Sequence, residues 1–222
     1  LSPRETLNLV YDVLQGSEGG RYHGKVERKT RCVTINYAEM HLDITPAMLL
    51  PMHPRVSHIP HSKLEEPVAN DKFVIANPWG MTDWFIEQVS QDQLFGKNYR
   101  ARFKAEPIPE YVELEMKPLQ VIALILLKRF RNLRYSKRDG RMPPSVMLSK
   151  MVADHRGSGL SLVDELEFQA KHIFGNLMVA KHSNRLIEVK NPRCPEDVFT
   201  DRWPMNQTEQ NVFISDLEHL LA

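Results

Sequence analysis

Cysteine is nearly absent: the 222 residues carry two, Cys32 and Cys194. With no metal-ligand spacing between them, they exclude a disulfide-stapled scaffold and point to a reduced compartment. Long apolar runs are missing as well. The most hydrophobic stretch, Leu119 to Leu127, falls far short of the roughly 20 residues that span a bilayer. It reads as a buried core helix, and no membrane association is expected. No secretory signal is visible and the first residue is Leu rather than Met. We therefore expect a cytoplasmic protein of which this sequence is a fragment. Charge of one sign is lacking too: 29 basic residues stand against 28 acidic ones, a net +1. Any phosphate chemistry must then come from local clustering rather than from a global field. There is no glycine-rich phosphate loop, because "GSEGG" (16–20) lacks the following lysine and helix. HExxH, GxSxG and internal repeats are equally absent.

What is present reads as alternating short elements followed by helices. Ser2, Pro3 and Glu5 form a helix start, with Ser2 as N-cap, ahead of Leu7, Val10, Val13 and Leu14 at helical spacing. "KVERKTRCVTINY" (25–37) is β-branched and alternating and predicts one strand. "MHLDITPA" (40–47) is its return strand. Prolines and histidines crowd residues 46–72, which read as a long surface connection. "KFVIANP" predicts a short strand, and "TDWFIEQVSQ" a helix capped by Thr82. A charged, weakly periodic stretch follows. Helices are then expected at "KPLQVIALILLKRFRNLRY", "PPSVMLSKMVADH", "SLVDELEFQAKHIFGNLMVA" and "EQNVFISDLEHLLA". The order gives a small α/β lobe over 1–80 and a mostly helical lobe over 81–222.

Four features carry candidate chemistry. Asp43 is a carboxylate in an otherwise apolar strand, sharing its face with His41 and Thr45. It is either a solvent-facing side chain on an edge strand or a rigidly placed metal ligand. Lys128 and Arg131 lie on one helix face with Tyr135, by i, i+3 and i+7 spacing, in a run of seven basic residues. They line a cleft or simply complement the helix dipole. Ser145, at a proline-started helix, either caps it or offers a hydroxyl and free N–H groups to a phosphate. His41, His53, His58 and His61 fall in a 21-residue span but in no zinc pattern. Trp79, Trp84 and Trp203 read as packing residues.

The order of these pieces is more specific than any one of them. "HLDITPA", "ANPWGMTDWF", "PLQVIALILLKRFRN", "PPSVMLSKMV" and "NPRCPEDVFTDRW" follow one another as in the CD-NTase family, the cGAS/DncV-like nucleotidyltransferases of bacterial anti-phage (CBASS) defence. The sequence resembles that family from about residue 26 to 203. The resemblance implies an α+β fold: a DNA polymerase β-like nucleotidyltransferase core, here partial, with a helical C-terminal lobe and the nucleotide between them. It implies Mg²⁺ (or Mn²⁺) held by three carboxylates, of which Asp43 matches the third. Lys128 matches the triphosphate-contacting lysine, with Arg131 assisting, and Ser145 the helix-start serine. Asn77 is placed near the nucleobase. Implied partners are nucleoside triphosphates (ATP, GTP or others), a downstream effector that recognises the cyclic product, and regulatory proteins. The family's Gly-Ser turn and D-x-D strand do not occur in the sequence, which begins just after their expected place. No cGAS-like zinc ribbon is present. Two alternatives remain open: a non-catalytic nucleotide- or RNA-binding module of the same fold, and a template-independent RNA nucleotidyltransferase.

Overall fold

The computed structural model describes residues 1–89, 117–158 and 161–222. The charged, weakly periodic stretch between the second and third helices lies outside them. The chain divides into two compact units, Leu1–Trp79 and Gly80–Ala222.

The first unit opens with helix α1 (Pro3–Gln15), whose capping box is complete. Ser2 Oγ accepts from the Glu5 amide while Glu5 Oε2 accepts from the Ser2 amide at 2.7 Å, so two otherwise orphaned donors are satisfied reciprocally. The expected single strand over 25–37 is instead a hairpin of β1 (Val26–Arg28) and β2 (Val33–Asn36). It reverses at Thr30 and Arg31, closed by the Lys29 amide on the Cys32 carbonyl. β3 (His41–Ile44) pairs antiparallel with β2, in the predicted return position, giving the order β1-β2-β3. Helix α1 packs on β1 and β2, and Val33 and Ile35 of β2 are buried. Their cross-strand partners Ile44 and Leu42 stand at the open edge and stay exposed.

The surface connection expected over 46–72 is mostly a second sheet. β4 (Met48–Leu50), β5 (His53–His61) and β6 (Lys72–Ala76) pair antiparallel in that order. Arg4 ties α1 to the turn ahead of β6. Its Nε donates to Asp71 at 2.8 Å, and its NH2 donates to the Lys63 and Glu66 carbonyls.

Helix α2 (Pro78–Val89), most of which belongs to the second unit, starts four residues before the expected cap Thr82, because Pro78 is itself pre-organised for a first helical position. Then come α3 (Leu119–Tyr135), α4 (Ser145–Asp154), α5 (Leu162–His182), the short hairpin β7 (Lys190–Asn191) and β8 (Cys194–Val198), and α6 (Gln207–Leu221). Their core joins Leu124 and Leu127 of α3, Met147 and Met151 of α4, Ile173 and Leu177 of α5, and Phe213 and Leu217 of α6. Each such side chain contributes about 2 kcal/mol by leaving water. Trp203 is wholly buried and meets Phe213 edge-on at 5.8 Å. Trp79, expected to pack, is half exposed under the Arg55 guanidinium.

Candidate functional site

Asp43 sits on β3 directly across from Thr34 of β2. Thr34 is buried and its Oγ1 donates to Asp43 Oδ1 at 2.6 Å. The other oxygen lies 4.0 Å from His41 Nε2, and about half of the Asp43 side chain faces solvent. A buried threonine thus fixes the rotamer of an exposed carboxylate. The sequence held a signal for this partner in the β-branched alternation of 33–36, but the pairing needed the register. Asn77, in the same unit, is buried immediately before Pro78.

The second unit holds Lys128, Arg131 and Ser145. Lys128 is half-buried on α3, and among the described residues no carboxylate or hydrogen-bond acceptor pairs with it. Burial, and then the neighbouring Arg131 charge, lower its pKa below the ordinary lysine value. Arg131, one turn on, is 4% exposed. Its NH1 donates to the Pro143 carbonyl at 2.7 Å, and its Nε and NH2 both donate to Asn132 Oδ1. Arg131 therefore holds the turn that leads into α4. Tyr135, expected beside it in a cleft, is part of the core, while Leu126, expected to pack, is partly exposed.

Ser145 is the first residue of α4 and is exposed. The N-cap position belongs to Pro144, with no side-chain cap, so no N-cap side chain takes up the first-turn amide donors of α4. Plain capping by Ser145 is thus not what the structure shows. Two cations without acidic partners among the described residues, beside a helix start with no side-chain cap, make a local positive field suited to a polyphosphate.

Among the described residues no three His, Cys, Asp or Glu side chains are grouped so as to hold a metal ion. The histidines of β5 have other duties: His58 stacks on Phe73, and His61 Nδ1 accepts from Arg31. No described helix is long and apolar enough to cross a membrane.

No family model matches the chain. It is 33% identical over 210 residues to the cyclic dinucleotide synthase CdnG of Bradyrhizobium diazoefficiens, a match spanning 89% of this chain and 50% of that protein. It is 26% identical over 220 residues to a c-di-GMP synthase of Roseivirga ehrenbergii, spanning 98% and 55%. The solved structure of the Bradyrhizobium diazoefficiens CD-NTase CdnG in complex with GTP superposes with a TM-score of 0.79 at 30% identity. That match covers 100% of this chain and 66% of the other. An E. coli MS115-1 CdnC:HORMA-deltaN complex, at 15% identity and a TM-score of 0.52, shares the fold alone. The mixed helix-and-sheet architecture is thus that of the CD-NTase CdnG. The chain belongs to the CD-NTase family. It spans about half the length of the curated relatives it matches.

Proposed function

We propose that the chain is part of an enzyme that joins nucleoside triphosphates by nucleotidyl transfer and closes the product into a cyclic oligonucleotide second messenger. GTP is the substrate we favour, since one relative is solved with GTP and another is named for c-di-GMP. The observation that carries the reading is Lys128, a half-buried ammonium without an acidic partner among the described residues, one turn from Arg131 on the helix that holds the start of α4.

In this scheme Lys128 neutralises the triphosphate and the α4 amides with Ser145 Oγ orient it. A ribose hydroxyl attacks the α-phosphate: the new O–P bond forms, the bond to the β-phosphate breaks, pyrophosphate leaves, and the hydroxyl proton passes to solvent. Asp43, rotamer-locked by Thr34, is the proposed ligand for Mg²⁺ or Mn²⁺, whose chemistry would be to stabilise the attacking and leaving oxygens. By itself Asp43 does not hold such an ion, and the partner carboxylates are not grouped with it among the described residues. Anti-phage (CBASS) signalling, an effector that reads the product, regulatory partners and a cytoplasmic site of action complete the proposal, on family grounds.

The test incubates the full-length protein with divalent cation and α-³²P-labelled NTPs, then phosphatase, beside Asp43→Ala. A short phosphatase-resistant product lost in the variant is expected. A ladder of products would mean an RNA-extending enzyme instead. NTP binding without any product would favour the non-catalytic module.

A further inference from the structure

Helix α4 is gripped by polar side chains of α3 at both ends. At its start, Arg131 NH1 holds the Pro143 carbonyl at 2.7 Å. At its finish, the amide of Gln120 donates to the Val152 and His155 carbonyls at 2.5 and 2.7 Å. Both side chains are more than nine-tenths buried. Arg131 is the unusual member. A buried guanidinium normally faces a carboxylate, because an unpaired buried cation is costly. Here, among the described residues, each acceptor is a neutral oxygen: one backbone carbonyl and the Asn132 amide oxygen. A neutral residue could fill the same space at a lower desolvation cost. The arrangement delivers a positive charge and a rigid strut to the turn Pro143-Pro144-Ser145.

We propose that Arg131 is a positioning residue of the triphosphate site, touching no substrate atom itself but setting where the first turn of α4 stands relative to Lys128. The inference rests on the reading of Lys128 and Ser145 given above. The three Arg131 nitrogens are spent on Pro143 and Asn132, so the group has little left to offer a phosphate, and its exposure leaves no face open to one. Its value lies in pre-organisation: uncapped amides bind an anion well only if held in place before the anion arrives.

The test measures binding of inorganic tripolyphosphate to the full-length protein, its salt dependence, and amide hydrogen exchange of a peptide covering 143–150. Arg131→Met should weaken binding by about tenfold, the scale of a small misplacement, and speed exchange at 145–148. The slope of affinity against salt should stay at the wild-type value, since no phosphate contact is lost. Arg131→Gln, which keeps a donor near Pro143, should recover part of the affinity. Gln120→Leu should lower the Tm yet leave tripolyphosphate affinity unchanged, which separates a positional effect from general loosening. A salt slope flattened as far as in Lys128→Ala would make Arg131 a direct phosphate contact and overturn the proposal, as would unchanged affinity in Arg131→Met. Should the variants not fold, the wild-type protein decides: tripolyphosphate must protect the 145–148 amides, and no protection overturns it. If Lys128→Ala itself binds normally, the reading of the site falls; if only Lys128→Ala loses affinity, this inference alone falls.

Discussion

Arg134 Nε donates to Asp216 Oδ1 at 2.7 Å, joining α3 to α6 across 82 residues of chain. Arg138 adds two more bonds to the same carboxylate, at 2.5 and 2.9 Å. Asp216 is wholly buried while both arginines reach solvent. Burial alone would raise the Asp216 pKa, but the hydrogen bonds and charges of Arg138 and Arg134 outweigh it and leave the carboxyl below its usual range. A carboxyl with a depressed folded value stabilises above its unfolded pKa and loses that contribution as pH falls through the folded one. Asp216→Asn should therefore lower stability near neutrality by about 2 kcal/mol, allowing for the partly exposed arginines. The difference from wild type should shrink below about pH 4. Urea melts at pH 7 and pH 3 would show it; equal differences at both would refute the assignment.

Lys128 offers the opposite balance. Its half-buried ammonium, without an acidic partner among the described residues, disfavours the folded state, so Lys128→Met should raise the Tm by about 3 °C, the equivalent of about 1 kcal/mol. The same change should weaken NTP binding, seen as a raised KM. Because burial and Arg131 lower the Lys128 pKa, NTP affinity should decline with rising pH before an ordinary lysine would titrate. A thermal shift assay and Kd against pH check both statements.

Where β2 pairs with β3 the predicted outcome concerns the buried Thr34. Thr34→Val removes the 2.6 Å bond to Asp43 and leaves the carboxylate free to turn. On the proposed role of Asp43 as a metal ligand, losing such an outer partner typically costs 10- to 100-fold. We expect kcat to fall by about tenfold, partly restored by Thr34→Ser, with Asp43→Asn abolishing product. Full activity in Thr34→Val would show that the bond only ornaments the strand.

Gly157 lies against the buried Glu165, whose carboxylate accepts from the Ser158 amide at 2.5 Å and from Gln169 at 2.8 Å. A Cβ at 157 would stand 3.0 Å from Glu165 Oε2. That oxygen belongs to a fully buried, hydrogen-bonded side chain with no room to retreat. Gly157→Ala should cost about 1 to 2 kcal/mol, read as a lower urea midpoint at unchanged slope.

Three helices of the second unit, α3, α4 and α5, were legible because they couple an apolar period to a clear start at Pro118, Pro144 and Ser161. The β5 strand was not, and the reason is local. Pro54 and Pro60 argue against a strand, and a proline is excluded wherever its missing N–H would face a neighbour. Pro60 pairs with Phe73 of β6 beyond the last β4 partner, and Pro54 sits in the register shift opposite Leu49 and Leu50, past the end of β6. Each proline stands where β5 has one neighbour instead of two. The β1–β2 hairpin hid for a related reason: its Thr30-Arg31 turn carries none of the Asn, Asp or Gly residues that announce a two-residue loop.

Of the candidate residues, chemistry was easier to see than duty. The i, i+3 spacing put Lys128 and Arg131 on one face, but did not show that one has no partner among the described residues while the other is spent on Pro143. That difference depends on a turn twelve residues downstream, which no helical period encodes.

The double grip on α4 also fixes its length. Gln120 and Arg131 lie eleven residues apart on α3, about 16 Å along its axis, and they take hold of carbonyls at opposite ends of one short helix. Inserting or deleting a single residue within α4 would rotate one end by about 100° and shift it by about 1.5 Å, so only one of the two holds could be kept. α4 therefore behaves as a gauge block: its sequence can drift, its residue count cannot, and changes in chain length must fall in the connections on either side.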